Sequence, residues 1–318
     1  MRGVHRLARG LRLPVCAAPM FLVSGPELVL AACRAGIMGS FPTNNCRSVG
    51  ELERWMQQIS SGCADAQRQG LQTGPWCANL ITHSTNTRLA DDLALVARFQ
   101  PPVVITALGS PKPAIEVVHG YGGLVVADVV NLPLARKAVA AGADGLACIS
   151  AGAGGHTGFM SPFAFVSALR EFFDGLLIIG GGIGDGYGVA GAVAAGADLV
   201  YMGTRFIPTT ESLADPEYKQ MVVDCDVDDL TVSPAISGTA ASWLKPSLVR
   251  AGLDPAQLGA GPQSRVYDAN DQGAKRWKDT WAAGQGLGCI RAIEPVQQVV
   301  DRLDAEYRAA LQRVRALQ

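Results

Sequence analysis

Residues 150–158 read Ser-Ala-Gly-Ala-Gly-Gly-His-Thr-Gly, four glycines and one imidazole directly after an apolar run. Glycines at this density let backbone approach a ligand closely. An imidazole ordinarily titrates near neutrality, so His156 is a residue type that can take a proton from carbon or, when charged, bind an anion. Two further runs offer a phosphate bare N–H groups: Gly180-Gly181-Gly182, and Met202-Gly203-Thr204, whose threonine adds a hydroxyl. Asn79, Asp128 and Ser150 stand at or near the ends of other apolar runs. The plain alternatives are that His156 only hydrogen-bonds its loop and that Asp128 only caps a helix starting near Asn131 and Pro133. His83, followed by Ser84 and Thr85, is a candidate supporting group for a substrate. His5 lies in a basic terminal segment and His119 on a helix or at its end.

A competing motif, Gly186-Tyr187-Gly188-Val189-Ala190-Gly191, fits G-x-G-x-x-G. It begins six residues beyond the apolar run ending at Gly180, and no acidic residue ends the next run, so the glycines read as helix packing and not as a dinucleotide site. The eight cysteines at 16, 33, 46, 63, 77, 148, 225 and 289 include no C-x-x-C pair and no zinc-like spacing, so no metal is expected. Cys16, Cys77 and Cys148 read as small buried hydrophobes in a reducing, cytoplasmic setting.

The elements that must position these residues are eight short apolar runs: 13–18, 37–41, 76–81, 102–108, 123–129, 145–151, 176–180 and 199–203. Their near-continuous apolar character predicts strands covered on both faces. Between them, Pro26–Ala35, Leu89–Phe99, Leu132–Ala141 and Tyr187–Ala195 have helical spacing. Two helices end alike, in Ala140-Ala141-Gly142-Ala143-Asp144 and Ala194-Ala195-Gly196-Ala197-Asp198, the glycine at each helix end starting a short turn into a strand. Eight βα units predict an α/β fold, a (β/α)8 TIM barrel, with an open doubly wound sheet as the runner-up. In a closed barrel the chemistry sits at the C-terminal strand ends, where the unusual residues collect.

The expected organisation is a barrel over 1–207, an inserted, mainly helical or lid segment over 208–290, and a C-terminal helix over 291–318 packing back on the barrel. The formal net charge of −1 argues against nucleic-acid binding. No run approaches the roughly 18 apolar residues of a membrane helix, and the arginine-rich start, MRGVHRLARGLRLP, has no apolar core for a secretory signal. A cytoplasmic protein acting on a small molecule is expected.

The sequence resembles the nitronate monooxygenases, also called 2-nitropropane dioxygenases, FMN enzymes built on a (β/α)8 barrel. The carriers are AAPM at 17–20, AGAGGHTG at 151–158, GGGI at 180–183, MGTRF at 202–206 and WAAGQGLG at 281–288. The resemblance implies oxidation of alkyl nitronates by O2 to a carbonyl compound and nitrite, as in nitroalkane detoxification. It implies that Ala18 and Met20, by their backbone, and Asn79 line the flavin ring. Ser150, Ala151, Gly154, Gly155, Gly180 and Met202 border the cofactor, and Gly181, Gly182, Gly203 and Thr204 hold its phosphate. His156 faces the reactive side, and Gln285 reaches the site from the far end of the chain. Some relatives carry a lysine where this chain has Asp128, which leaves open the polar group that meets the flavin or substrate there. An NAD(P)H-dependent quinone or enoyl-thioester reductase on the same barrel and a redox-inactive binder of phosphorylated ligands are the alternatives. A homodimer is left open.

Overall fold

The computed structural model describes Leu7, residues 10–258 and residues 277–317. Arg2, His5, Arg6 and Arg9, and residues 259–276 of the expected insert, lie outside them. Eight parallel strands close a barrel: β1 (Val15–Ala17), β2 (Met38–Pro42), β3 (Trp76–Ile81), β4 (Val103–Ala107), β5 (Leu124–Val129), β6 (Gly145–Ile149), β8 (Leu176–Gly180) and β9 (Leu199–Met202), with β9 returning to pair with β1. Between these strands run α1 (Pro26–Arg34), α2 (Val49–Arg68), α3 (Leu89–Phe99), α4 (Lys112–Gly120), α5 (Leu132–Ala140), α6 (Pro162–Arg170) and α7 (Gly186–Ala194).

Strand alternation divides the core. Inward side chains such as Cys16, Met38, Cys77, Ile105, Val126, Ile178 and Tyr201 fill the barrel, while outward ones such as Leu146, Cys148, Leu177 and Val200 pack under the helices. The repeated Ala-Gly-Ala-Asp phrases perform the same task twice. Gly142 and Gly196 take φ of +99° and +114°, and the aspartate that follows each accepts a strand N–H: Val125 to Asp144 and Leu177 to Asp198, both at 2.8 Å.

Beyond β9 the chain forms α8 (Pro216–Asp224), β10 (Leu230–Ser233), β11 (Ala241–Leu244) and the short α9 (Lys245–Arg250). Helical turns are joined here by strands that the amino-acid pattern did not announce. β11 pairs antiparallel both with β10 and with β7 (Gly155–His156), a two-residue strand inside the glycine loop after β6. The last helix, α10 (Val296–Arg315), packs against α7 through Val296, Val299, Val300 and Leu303. Arg12 ties the start of the barrel to it, pairing with Asp301 at 2.7 Å and Asp304 at 3.0 Å. All eight cysteines are free thiols, and among the described residues no helix is long and apolar enough to cross a membrane and no His/Cys/Asp/Glu cluster could hold a metal ion.

Candidate active site at the barrel mouth

Three loops meet at the C-terminal ends of β6, β8 and β9, and a fourth segment from the end of the chain locks them. The carbonyl of Gly152 accepts the Gly182 N–H at 3.0 Å and the Gln285 N–H at 2.9 Å, so one oxygen joins the loop after β6, the turn after β8 and the Ala-Gly-Gln-Gly phrase. Gly284 donates its N–H to Thr204 Oγ1 at 2.9 Å. Glycine is required at these crossings. A Cβ on Gly154 would fall 2.6 Å from the Gly284 nitrogen, and one on Gly181, whose φ is +144°, would fall 2.6 Å from the Ala151 carbonyl oxygen. Gln285 is thereby brought to the site: its Oε1 lies 2.7 Å from where a Gly152 Cβ would stand.

The loop is fastened at both ends. Ser150 donates its N–H to Gly180 O at 2.8 Å and accepts Thr157 Oγ1–H at 3.1 Å on its carbonyl, while Ala151 donates to Met160 O at 2.7 Å. Gly155, at φ +66°, turns the chain so that His156 pairs with Ala241 on β11. The exposed imidazole meets Trp277 edge to face, ring centroids 5.4 Å apart, and Trp277 leans on buried Trp243 at 4.6 Å. Trp277 itself adopts φ +65°, a conformation costly for a bulky residue and sustained here by its packing.

The structure refines several expectations. The N–H of Met20 goes to Ser24 Oγ at 2.9 Å and its carbonyl accepts Asn45 Nδ2–H at 3.1 Å; the Ala18 N–H goes to Met202 O at 2.8 Å. Backbone polar groups expected to face a ring are therefore used inside the protein, and what Met20 offers is its thioether, beside Gly203. The Gly182 N–H is likewise occupied, whereas Thr204 Oγ1, as an acceptor from Gly284, keeps its own proton to donate. Asn79 is buried on β3 and donates Nδ2–H to Ile105 O at 3.3 Å. His83 lies on an exposed turn after β3 with Nδ1 2.8 Å from Thr85 Oγ1, a hydrogen bond within its own turn. The helix-packing reading of the 186–191 glycines fits the close approach of Gly186 to α10, where a Cβ would fall 2.2 Å from Leu303 O. Asp185 caps α7 by accepting the Gly188 N–H at 2.7 Å, which fills that helix end with a carboxylate.

Inside the mouth, polar atoms wait without partners. Ser150 Oγ, Asp128 Oδ1 and Tyr201 OH are buried and make no hydrogen bond among the described residues. Groups so placed cost stability unless a ligand or water satisfies them. Burial pushes the Asp128 carboxyl up to about 7 and the Tyr201 phenol well above its usual range. On the helix side of the Gly180–Gly182 turn lies a cavity of 360 Å³, bordered by Phe163, Val166, Gly182, Asp185, Gln285 and Cys289. Buried Arg205, next to Thr204, pairs with Glu294 at 3.3 Å, and Glu294 pairs with Arg302 of α10 at 2.6 Å, which pins the loop after β9 to the last helix.

A closed parallel barrel with glycine turns, an imidazole and unsatisfied polar groups gathered at its C-terminal mouth defines a small-molecule enzyme of the (β/α)8 class. Residues 7–306 match the nitronate monooxygenase family, and the chain belongs to it. It is thus a flavin-dependent oxidoreductase. A nitronate monooxygenase of Paraburkholderia phytofirmans is 28% identical over 96% of this chain and 95% of its own length. An octahydroindene carboxyl-CoA dehydrogenase of Rhodococcus jostii is 28% identical over 76% of this chain and 65% of its own length. In fold, the nitroalkane oxidase of Streptomyces ansochromogenes superposes with a TM-score of 0.80 at 22% identity, covering 96% of this chain and 99% of its own.

Proposed function

We propose that the protein binds FMN at the barrel mouth and oxidises alkyl nitronates with O2 to carbonyl compounds and nitrite. The observation that carries this reading is the junction of the loop after β6, the turn after β8 and the 283–286 segment on the Gly152 carbonyl, with the loop after β9 joined to that segment through Thr204 Oγ1 and His156 held at its rim. The fit to FMN rests on two features of these residues: loop crossings at Gly152, Gly154 and Gly181 that admit no Cβ, and buried polar atoms lacking partners among the described residues. Gly181, Gly203 and Thr204 suit the phosphate, with Gly182 shaping the turn; Met20, Asn79, Ser150, Ala151 and Asp128 border the ring. When bound, FMN supplies the redox step, taking electrons from the nitronate and passing them to O2.

The chain's own residues hold and shield the reactants. His156 compensates the nitronate charge as imidazolium, or as neutral imidazole takes the carbon-bound proton of a nitroalkane. Its pairing with β11 and its edge contact with Trp277 fix where the ring stands. Trp243 and Trp277 cover one flank and restrict water there. Purified protein should be yellow, release FMN on denaturation, and form nitrite from a nitronate. Colourless protein that cannot be reconstituted with FMN contradicts the reading.

A second reading, thioester oxidoreduction with a nicotinamide partner, is favoured by the similarity to the carboxyl-CoA dehydrogenase. Reduction of the bound flavin by NADH or NADPH alone, and none by a nitronate, would select it.

A further inference from the structure

β5 carries one carboxyl into the barrel. Val126 packs with the interior cluster, and strand alternation sends Asp128, two positions further on, to the same side at the C-terminal mouth. Its Oδ1 is sealed from solvent and has no hydrogen-bond partner among the described residues. The ordinary task of an aspartate at a strand end, capping the next helix, is performed by Asn131, whose side chain accepts the Leu134 N–H at 2.9 Å. The titratable groups whose charge bears on Asp128 are Cys16 of β1, Cys77 of β3, Cys148 of β6 and Tyr201 of β9. Burial keeps all four neutral, with Cys16 pushed up to about 12, and among the described residues no cation counters the desolvation of Asp128. Asp128 as a whole is half-buried, and an anion there would leave Oδ1 sealed from solvent and unpaired, which disfavours it. The neutral acid instead has one O–H donor in need of an acceptor.

We infer that Asp128 serves as a neutral carboxylic acid, donating its O–H to an acceptor on the ligand seated in the barrel mouth and keeping that wall free of negative charge. The inference rests on the flavin reading above, in which the acceptors are carbonyl and ring-nitrogen atoms of the flavin's pyrimidine edge. Desolvation places the titration at about 7. Below that pH the donor is present; above it the donor is replaced by an anion that repels the same acceptors. Retention of the ring therefore weakens as pH rises, without any change in the glycine turns that hold the phosphate.

The test is the dissociation constant of FMN from the apo-protein, read by flavin fluorescence quenching from about pH 5.5 to about pH 9. Wild-type chain, Asp128→Asn and Asp128→Ala are compared. Wild-type affinity should fall about 10-fold or more across neutrality, the loss of one buried hydrogen bond plus the gain of repulsion. Asp128→Asn keeps a donor and cannot ionise, so its affinity at alkaline pH should stay near the wild-type value at acid pH. Asp128→Ala should bind more weakly at acid pH and follow the Asn variant's slope. The difference between the wild-type and Asn profiles removes the titration of FMN's own phosphate. Parallel wild-type and Asn profiles overturn the inference, as does an Ala variant that binds like wild type throughout. Absence of FMN binding by all three forms at every pH overturns the flavin reading, and this inference with it.

Discussion

His156 and Trp277 meet edge to face with ring centroids 5.4 Å apart, although the histidine stands in a loop of the barrel and the tryptophan follows a long excursion of the chain beyond it. The imidazole is thus oriented from outside its own loop. Trp277→Ala should leave FMN content unchanged and raise KM for a nitronate about 10-fold, because a positioning wall is lost and no charge is removed. Steady-state kinetics on FMN-replete protein measure it; unchanged kinetics would remove Trp277 from the site.

His156→Asn tests the imidazole itself. The variant keeps a side chain of similar size on β7, so the pairing with Ala241 and the FMN content should persist. kcat/KM should fall about 100-fold or more, the usual worth of a positioned acid or base. Wild-type turnover would make His156 a loop residue only.

Gly154→Ala tests the junction. Its Cβ would stand 2.6 Å from the Gly284 nitrogen and 2.8 Å from the Ala283 carbonyl carbon, backbone atoms that cannot swing aside. The loop after β6 should separate from the 283–285 segment, lowering stability by about 1–3 kcal/mol and weakening FMN binding. Thermal denaturation and FMN titration report the two effects together. A folded variant with wild-type FMN affinity would show that the junction is not needed for binding.

Asp128 makes stability depend on pH in a direction that can be stated. Its carboxyl is raised from about 3.9 in the unfolded chain to about 7 in the fold. Between those values the native state holds a proton that the unfolded state lacks, so stability falls as pH rises through that interval. The apo form of Asp128→Asn should therefore gain a few degrees in Tm over wild type at about pH 8 and little at about pH 4. A pH-independent difference would mean that the carboxyl is not perturbed.

Much of this architecture is legible in the amino-acid sequence, because parallel strands buried on both faces leave long apolar runs and because αβ turns repeat one phrase. Asp144 and Asp198 end the same five-residue phrase, and each accepts an N–H from a neighbouring strand, Val125 and Leu177. The barrel positions of His156, Asp128 and the glycine turns followed from that register. Local pattern could not show β7, whose two residues, Gly155 and His156, have no strand signature and pair with a partner far along the chain. It could not show Trp277 beside His156 for the same reason. Nor could it show that Met20 and Gly182 had committed their N–H groups internally, since Ser24 Oγ and Gly152 O are chosen by tertiary folding. The state of Asp128 is half legible: Asn131 and Pro133 mark the helix start, but that Asn131 itself caps the helix and leaves Asp128 Oδ1 without a partner among the described residues is set by tertiary folding.

The central claim is that the barrel mouth carries a flavin that a nitronate reduces. Anaerobic mixing of the FMN-replete protein with propyl-2-nitronate, followed by visible absorption, tests it most directly. The account predicts loss or reshaping of the oxidised flavin bands on mixing, reversed on admitting O2 with release of nitrite. An unchanged spectrum with the nitronate, together with rapid bleaching by NADH alone, would contradict it.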